Sequence, residues 1–158
     1  MLVPGYISCD ILAGKLVVPG GVIYENKYWH VDSVISPIIW QGFLIVKLKR
    51  HCDQLAELTQ EEAGALGPVI QATWAALTDV LKPPKVDICS FGDGIKHIHF
   101  WVLPRHPNKR PGMNWVMMNL NMRTLLTRRF GIKRWVYSDD EVTELAVQLR
   151  ERIHRLLS

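Results

Sequence analysis

Apolar and polar positions follow two distinct periods along the 158-residue chain. Val22–Asn26 and Trp29–Val34 are short β-branched or aromatic runs separated by Lys27 and Tyr28, which predicts two strands with a tight connection. Phe43–Leu48 is a continuous apolar run of the kind that suits a buried central strand. Thr59-Gln-Glu-Glu62 then forms a capping box, in which the threonine oxygen caps early backbone N–H groups and Glu62 reaches back. The helix it opens places Leu66, Val69, Ile70, Thr73, Trp74, Leu77 and Leu81 on one face and stops before Pro83-Pro84. Val86–Phe91 and Ile95–Leu103 predict a strand pair joined through Gly92-Asp93-Gly94. Beyond it, HPNKRPG (106–112) reads as a loop, followed by a basic, Met-rich segment. Ser138 caps a last helix with acids in its first turn and Arg152, His154 and Arg155 in its last, matching the helix dipole. Its stripe is Val142, Leu145, Ala146, Leu149, Ile153 and Leu156. The order predicts an α+β fold: an antiparallel sheet of about five strands with one long helix. Residues 1–105 form its core, and 106–158 a basic extension packed on it within a single domain.

Composition narrows the class. Hydrophobic residues are 48% and charged residues 22%, an ordinary globular balance. No apolar stretch reaches the roughly 20 residues that span a bilayer, and MLVPGYISCDILAG lacks a positive region followed by an apolar run. Cys9, Cys52 and Cys89 form no CxxC pair and read as free thiols, so a cytoplasmic protein is expected. Between Asp93 and Asp139 there is no acidic residue, while Lys96, Arg105, Lys109, Arg110, Arg123, Arg128, Arg129, Lys133 and Arg134 are all basic. A one-signed stretch concentrates anions, either phosphorylated small molecules or nucleic acid; a solvated face balanced by acids elsewhere is the ordinary alternative.

The candidate chemistry lies in HIHFWVLPR, residues 97–105. Strand alternation points His97, His99 and Trp101 one way and Ile98, Phe100 and Val102 the other. Two imidazoles about 7 Å apart on a strand are costly to bury unless each ring finds hydrogen-bond partners. Their uses are metal ligation, acid/base work or nucleophilic catalysis. Metal ligation needs further ligands, and His51, Cys9 and Asp93 have no local motif tying them to the pair. For nucleophilic catalysis, Lys96 and Arg105 bracket the strand as donors that could hold a phosphate.

HIHFWVLPR resembles the histidine-triad signature, three histidines alternating with apolar residues and commonly followed by Pro-Arg. CDILAG near the start, Pro37 and Gly42 before a strand ending in LKRH (48–51), and the capped helix LTQEEAGALG fall in the family's order. The resemblance covers about residues 6–105. It implies a homodimeric α+β protein that binds nucleotides and cleaves or transfers at the α-phosphate through a nucleotidyl-histidine. His99 is then the nucleophile, His97 fixes its ring, and Trp101 stands where the third histidine would contact the phosphate.

Three departures shape the expectations. Tryptophan offers one N–H donor but cannot carry a proton. Val34 stands where the family often has a ribose-binding Asp or Asn, with Asp32 as the nearby substitute; Asp93, Lys96 and Arg105 complete the expected nucleotide-binding set. Some members bind zinc through two cysteines and two histidines; Cys9, His51 and His97 are present, but Tyr6 replaces the other cysteine, so no metal and no cofactor is expected. The competing functions are a nucleotidyl hydrolase or transferase, a catalytically weakened nucleotide-binding or regulatory protein, and, less favoured, a nucleic-acid-associated protein.

Overall fold

Local chemistry explains where the strands begin and turn. The computed structural model describes residues 2–91, 95–106 and 113–158, with the backbone only for 113–116. β1 (Val22–Glu25) and β2 (Trp29–Ser33) are joined by a turn in which the Asn26 side-chain oxygen accepts from the Tyr28 and Trp29 N–H groups at 2.8 and 2.7 Å. β3 (Leu44–Leu48), β4 (Val86–Cys89) and β5 (His99–Pro104) complete an antiparallel sheet in the order β1-β2-β3-β5-β4. The α+β architecture with five strands is therefore as expected. The Gly92-Asp93-Gly94 turn lies outside the described residues, as do 107–112 of the HPNKRPG loop.

One face of the sheet carries Trp29, Val31, Leu44, Val46, Leu48, Val86 and Val102, all buried in a single core. Two helices cover it. α2 (Gln60–Leu81) starts at the expected Thr59–Glu62 capping box, and its first turn is tied to β2 by the Trp29 indole N–H, which donates to the Glu62 carbonyl at 2.8 Å. α4 (Asp139–Leu157) starts at a Ser138–Glu141 box and buries Val142, Leu145, Ala146, Leu149 and Ile153. Leu156, placed on the same stripe from sequence, is 37% exposed at the frayed end. Gly20 lets α4 approach closely: its φ is +80°, and a Cβ there would sit 2.5 Å from the Ala146 Cβ.

The stripe expected for α2 needs correction. The buried stripe of α2 is Val69, Ala72, Thr73, Ala76 and Leu77, rotated so that Trp74 is 38% exposed, because the helix packs against both the sheet and α4. β3 lies mid-sheet between β2 and β5, as expected of a buried central strand, with Leu44, Val46 and Leu48 in the core. The Met-rich segment folds as α3 (Met113–Phe130). A short α1 (Ile7–Leu12) precedes the sheet. Among the described residues, no helix is long and apolar enough to cross a membrane.

Because Leu149 is fully buried where α4 meets the core, Leu149→Ala is expected to lower unfolding free energy in urea by about 2–5 kcal/mol. Leu156→Ala is expected to shift it by only about 0.5 kcal/mol. Equal, small effects would show that α4 is not part of the cooperative core.

Candidate functional site

Sheet register builds the site on the opposite face. Glu25 pairs with His30, His30 with Lys47 and Lys47 with His99, forming one row across four strands. Ile45 and Trp101 form the next row on the same face. α1 and α3 stand over it and enclose a cavity of about 310 Å³. Its floor is Lys47, Ile45, His99 and Trp101, its α1 side is Ile7, Ser8 and Ile11, and its α3 side is Leu120, Asn121, Thr124 and Arg128.

His99 opens β5, and its Nδ1 lies 2.7 Å from the His97 carbonyl oxygen. A carbonyl can only accept, so Nδ1 carries the proton and Nε2 keeps its lone pair. Burial holds the His99 pKa below the ordinary value, which keeps the ring neutral at physiological pH; the nearby Lys47 charge acts in the same direction. Trp101 sits beside it, with ring centroids 6.5 Å apart, wedged between Phe43 and Phe91 at 5.0 and 5.1 Å.

His97 precedes the strand, and its ring does not line the cavity. Its Nε2 donates to the Leu48 carbonyl at 2.7 Å, and its Nδ1 faces the Cys9 sulfur at 3.3 Å. What orients His99 is thus the backbone carbonyl of His97, where the sequence pointed to its side chain. Burial, the largest cause, lowers the His97 pKa to about 4, and neighbouring His51 adds to the effect.

Cys9, His51 and His97 converge, their ligand atoms all within 4.8 Å of one another, with Cys9 Sγ 3.4 Å from His51 Nδ1. Ligands at zinc–nitrogen and zinc–sulfur bond lengths lie about 3.3–3.8 Å apart in a tetrahedron, so these three donors fit a zinc ion with one position left open. The hydrogen bond from His97 Nε2 to Leu48 presents Nδ1 as the ligand atom. Tyr6, at the place of the second cysteine, packs its ring 5.0 Å from His51, and no fourth protein ligand joins the cluster among the described residues. The lone motif residues that offered no sequence spacing are therefore brought together by the fold. Such an ion would tie α1 to the start of β5 and is separate from the cavity lining.

The expected phosphate and ribose contacts are placed differently. Lys96 is exposed next to Ile95, which lines the cavity. Arg105 lies six residues past His99, roughly 20 Å along the strand, and grips the Asp87 carboxylate with Nε and with Nη2 at 3.0 Å. Asp32 is fully buried, does not line the cavity and pairs with the Lys47 ammonium at 2.7 Å. Asp93 falls outside the described residues. Within the basic stretch, Arg123 lies over Trp40 and Trp135, and Arg134 over Trp135. Sequence reasoning missed Lys47 and the Asn121 and Thr124 face of α3, and counted Arg128 only within the basic stretch. The available signals were a lone charge inside the apolar run LIVKL and the i, i+4 spacing of Leu120, Thr124 and Arg128.

Residues 15–108, more than half of the chain, match the family model for the HIT domain. The chain belongs to the HIT domain family. Its fold is similar to a Hit-like protein involved in cell-cycle regulation from Bartonella henselae, at 15% identity and a TM-score of 0.69, covering 95% of this chain and 97% of that one. A Zn-bound histidine triad family protein from Mycobacterium smegmatis gives 19% and 0.67, covering 96% and 95%. A hypothetical histidine triad nucleotide-binding protein from Sulfolobus tokodaii gives 17% and 0.67, covering 94% and 91%. No curated protein matches the chain. At these identities the neighbours establish the HIT fold.

The lowered His97 pKa sets a pH dependence. In metal-free protein the folded state keeps this ring neutral down to about pH 4, whereas the unfolded chain takes up a proton below about 6.5. The stabilising contribution is thus complete above pH 6.5 and falls by about 3 kcal/mol on descending to pH 4. Urea unfolding between pH 7 and 4.5 should show this slope, and His97→Asn should flatten it. An unchanged slope in the variant would remove His97 as its source.

Proposed function

We propose that this HIT domain protein hydrolyses or transfers nucleotidyl groups through His99. The observation that carries the proposal is the His99 ring in the cavity floor, with its Nδ1 proton on the His97 carbonyl and Nε2 left as a neutral nucleophile. Family membership supports a nucleotide-related function, the Sulfolobus neighbour is named as nucleotide-binding, and a cavity of about 310 Å³ suits a nucleotide-sized ligand. In the proposed step, Nε2 attacks the α-phosphorus, forming an N–P bond as the P–O bond to the leaving group breaks. Water or another acceptor then cleaves the N–P bond and restores the imidazole. A dinucleoside polyphosphate is the favoured substrate type because its leaving group departs as a stable anion.

Trp101 supports a second reading. Its indole stands in the cavity floor where the histidine-triad pattern has its third histidine, and it cannot deliver a proton. On that reading the protein binds nucleotides in a regulatory role with weakened turnover. General acid assistance is worth about 10²–10⁴-fold, so its loss bears hardest on poor leaving groups.

One assay separates the readings. His99→Ala is expected to abolish turnover of dinucleoside polyphosphates and the acid-labile protein adduct, with nucleotide affinity kept within about tenfold. Trp101→His is expected to raise activity on alkylamine phosphoramidates more than on polyphosphates. Equal activity of wild type and His99→Ala would sink the nucleophile assignment, and absence of turnover with retained binding would favour the regulatory reading.

Two further parts of the proposal are a cytoplasmic location and a homodimer. Trp74, exposed on α2, gives the dimer an apolar contact point, since β3 is unavailable. Sedimentation at micromolar concentration is expected to return twice the chain mass, and a monomer there would contradict it.

A further inference from the structure

A buried lysine in the cavity floor remains outside the proposed mechanism. Lys47 is 2% exposed, stands directly across the β3–β5 ladder from His99 and lines the same cavity. Cross-strand neighbours on one face have Cβ atoms about 4.5–5.5 Å apart, so this ammonium stem rises beside the His99 imidazole. Its Nζ donates to Asp32 Oδ2 at 2.7 Å, and Asp32 is held from behind by His30 Nε2 at 3.1 Å. Glu25 and Lys49 continue this charged row outward, with Glu25 3.5 Å from His30 Nδ1 and 3.2 Å from Lys49 Nζ.

The pair is oriented. Lys47 lines the cavity and Asp32 does not, so the lysine is the member of the pair nearer the ligand space. An ammonium has three N–H donors, and Asp32 takes one. Among the described residues, the other Asp32 oxygen, Oδ1, is buried without a partner, so they do not fill the hydrogen-bonding capacity of the pair. A buried ion pair contributes little net stability, and apolar residues of similar volume commonly serve as well. Its position beside His99 therefore calls for a functional account.

We propose that Lys47 is the phosphate-binding cation of this cavity, donating to a non-bridging oxygen of the phosphate attacked by His99 while Asp32 holds the ammonium in place. The role rests on the reading of the cavity as a nucleotide site. It supplies from β3 the positive charge toward phosphate that the indole of Trp101 lacks. Burial lowers the Lys47 pKa, while Asp32 opposes that shift, consistent with an ammonium held in a dry site by one counter-charge.

The variant Lys47→Met alone would strand a buried carboxylate, so the test pairs it with Asp32→Asn. The double change leaves net charge unaltered, which removes long-range attraction as an explanation. Binding of the common nucleosides and of their 5′-monophosphates is measured by calorimetry on wild type and double variant, with thermal unfolding as a control for folding. The expected result is a 10- to 100-fold loss for the monophosphates and less than a threefold change for the nucleosides. Equal losses for both classes, or no loss, overturn the proposal. A second measurement needs no variant: the side-chain ¹⁵N signal of Lys47 in wild type should shift on adding a monophosphate and stay fixed with the nucleoside. No monophosphate-specific shift overturns it as well. If wild type forms no nucleotidyl adduct but the monophosphates still depend on Lys47, the turnover reading fails and this one stands. Turnover that is indifferent to the double change gives the reverse.

Discussion

Pairing of β3 with β5 is the constraint on which the site depends. Leu44 opposes Val102, Val46 opposes Phe100, and Lys47 opposes His99, so one register sets the identity of both faces of the sheet. A slip of one residue would turn Lys47 into the apolar core and Val46 into the cavity. That exchange is strongly disfavoured, because Val46, Leu48 and Val102 are fully buried beneath α2 and α4. Hydrophobic packing on one face thus positions chemistry on the other. The helices that cover the core never touch the cavity, yet they hold the register that builds its floor.

The two motif histidines diverge because β5 begins only at His99. His97 lies at the bend before it, with its carbonyl given to His99 Nδ1 and its ring to Leu48, Cys9 and His51. One residue therefore serves two sites, His99 through its backbone and the donor cluster through its side chain. The cluster includes Cys9 of α1, and α1 also forms one side of the cavity, so both sites share that short helix.

Desolvation is the electrostatic theme of the cavity. It keeps both imidazoles neutral and disfavours the charged form of Lys47, which retains an Asp32 partner. Removing water also strengthens each remaining charge interaction, so one buried ammonium counts for more than several exposed arginines. Within the basic stretch, Arg105 pairs with Asp87, Arg123 and Arg134 lie over indole rings, and Arg128 lies at the cavity side of α3.

What the chain alone determined is what local interactions control. The Thr59 and Ser138 capping boxes and the short β-branched or apolar runs of the strands act within a few residues, so α2, α4 and the sheet were legible. His99 and Trp101 were legible as a same-face pair for the same reason, since alternation along one strand needs no partner. The tertiary structure decided whatever depends on neighbours distant in the chain. It rotated α2 to serve a sheet and a second helix at once, and left Trp74 outside. It drew Arg105 to Asp87 and Asp32 to Lys47 across adjacent strands, gathered Cys9, His51 and His97 from three segments, and set α3 as a cavity wall. Strand order and register settle those pairings, and they follow from how the whole apolar face packs, which no local window of residues contains.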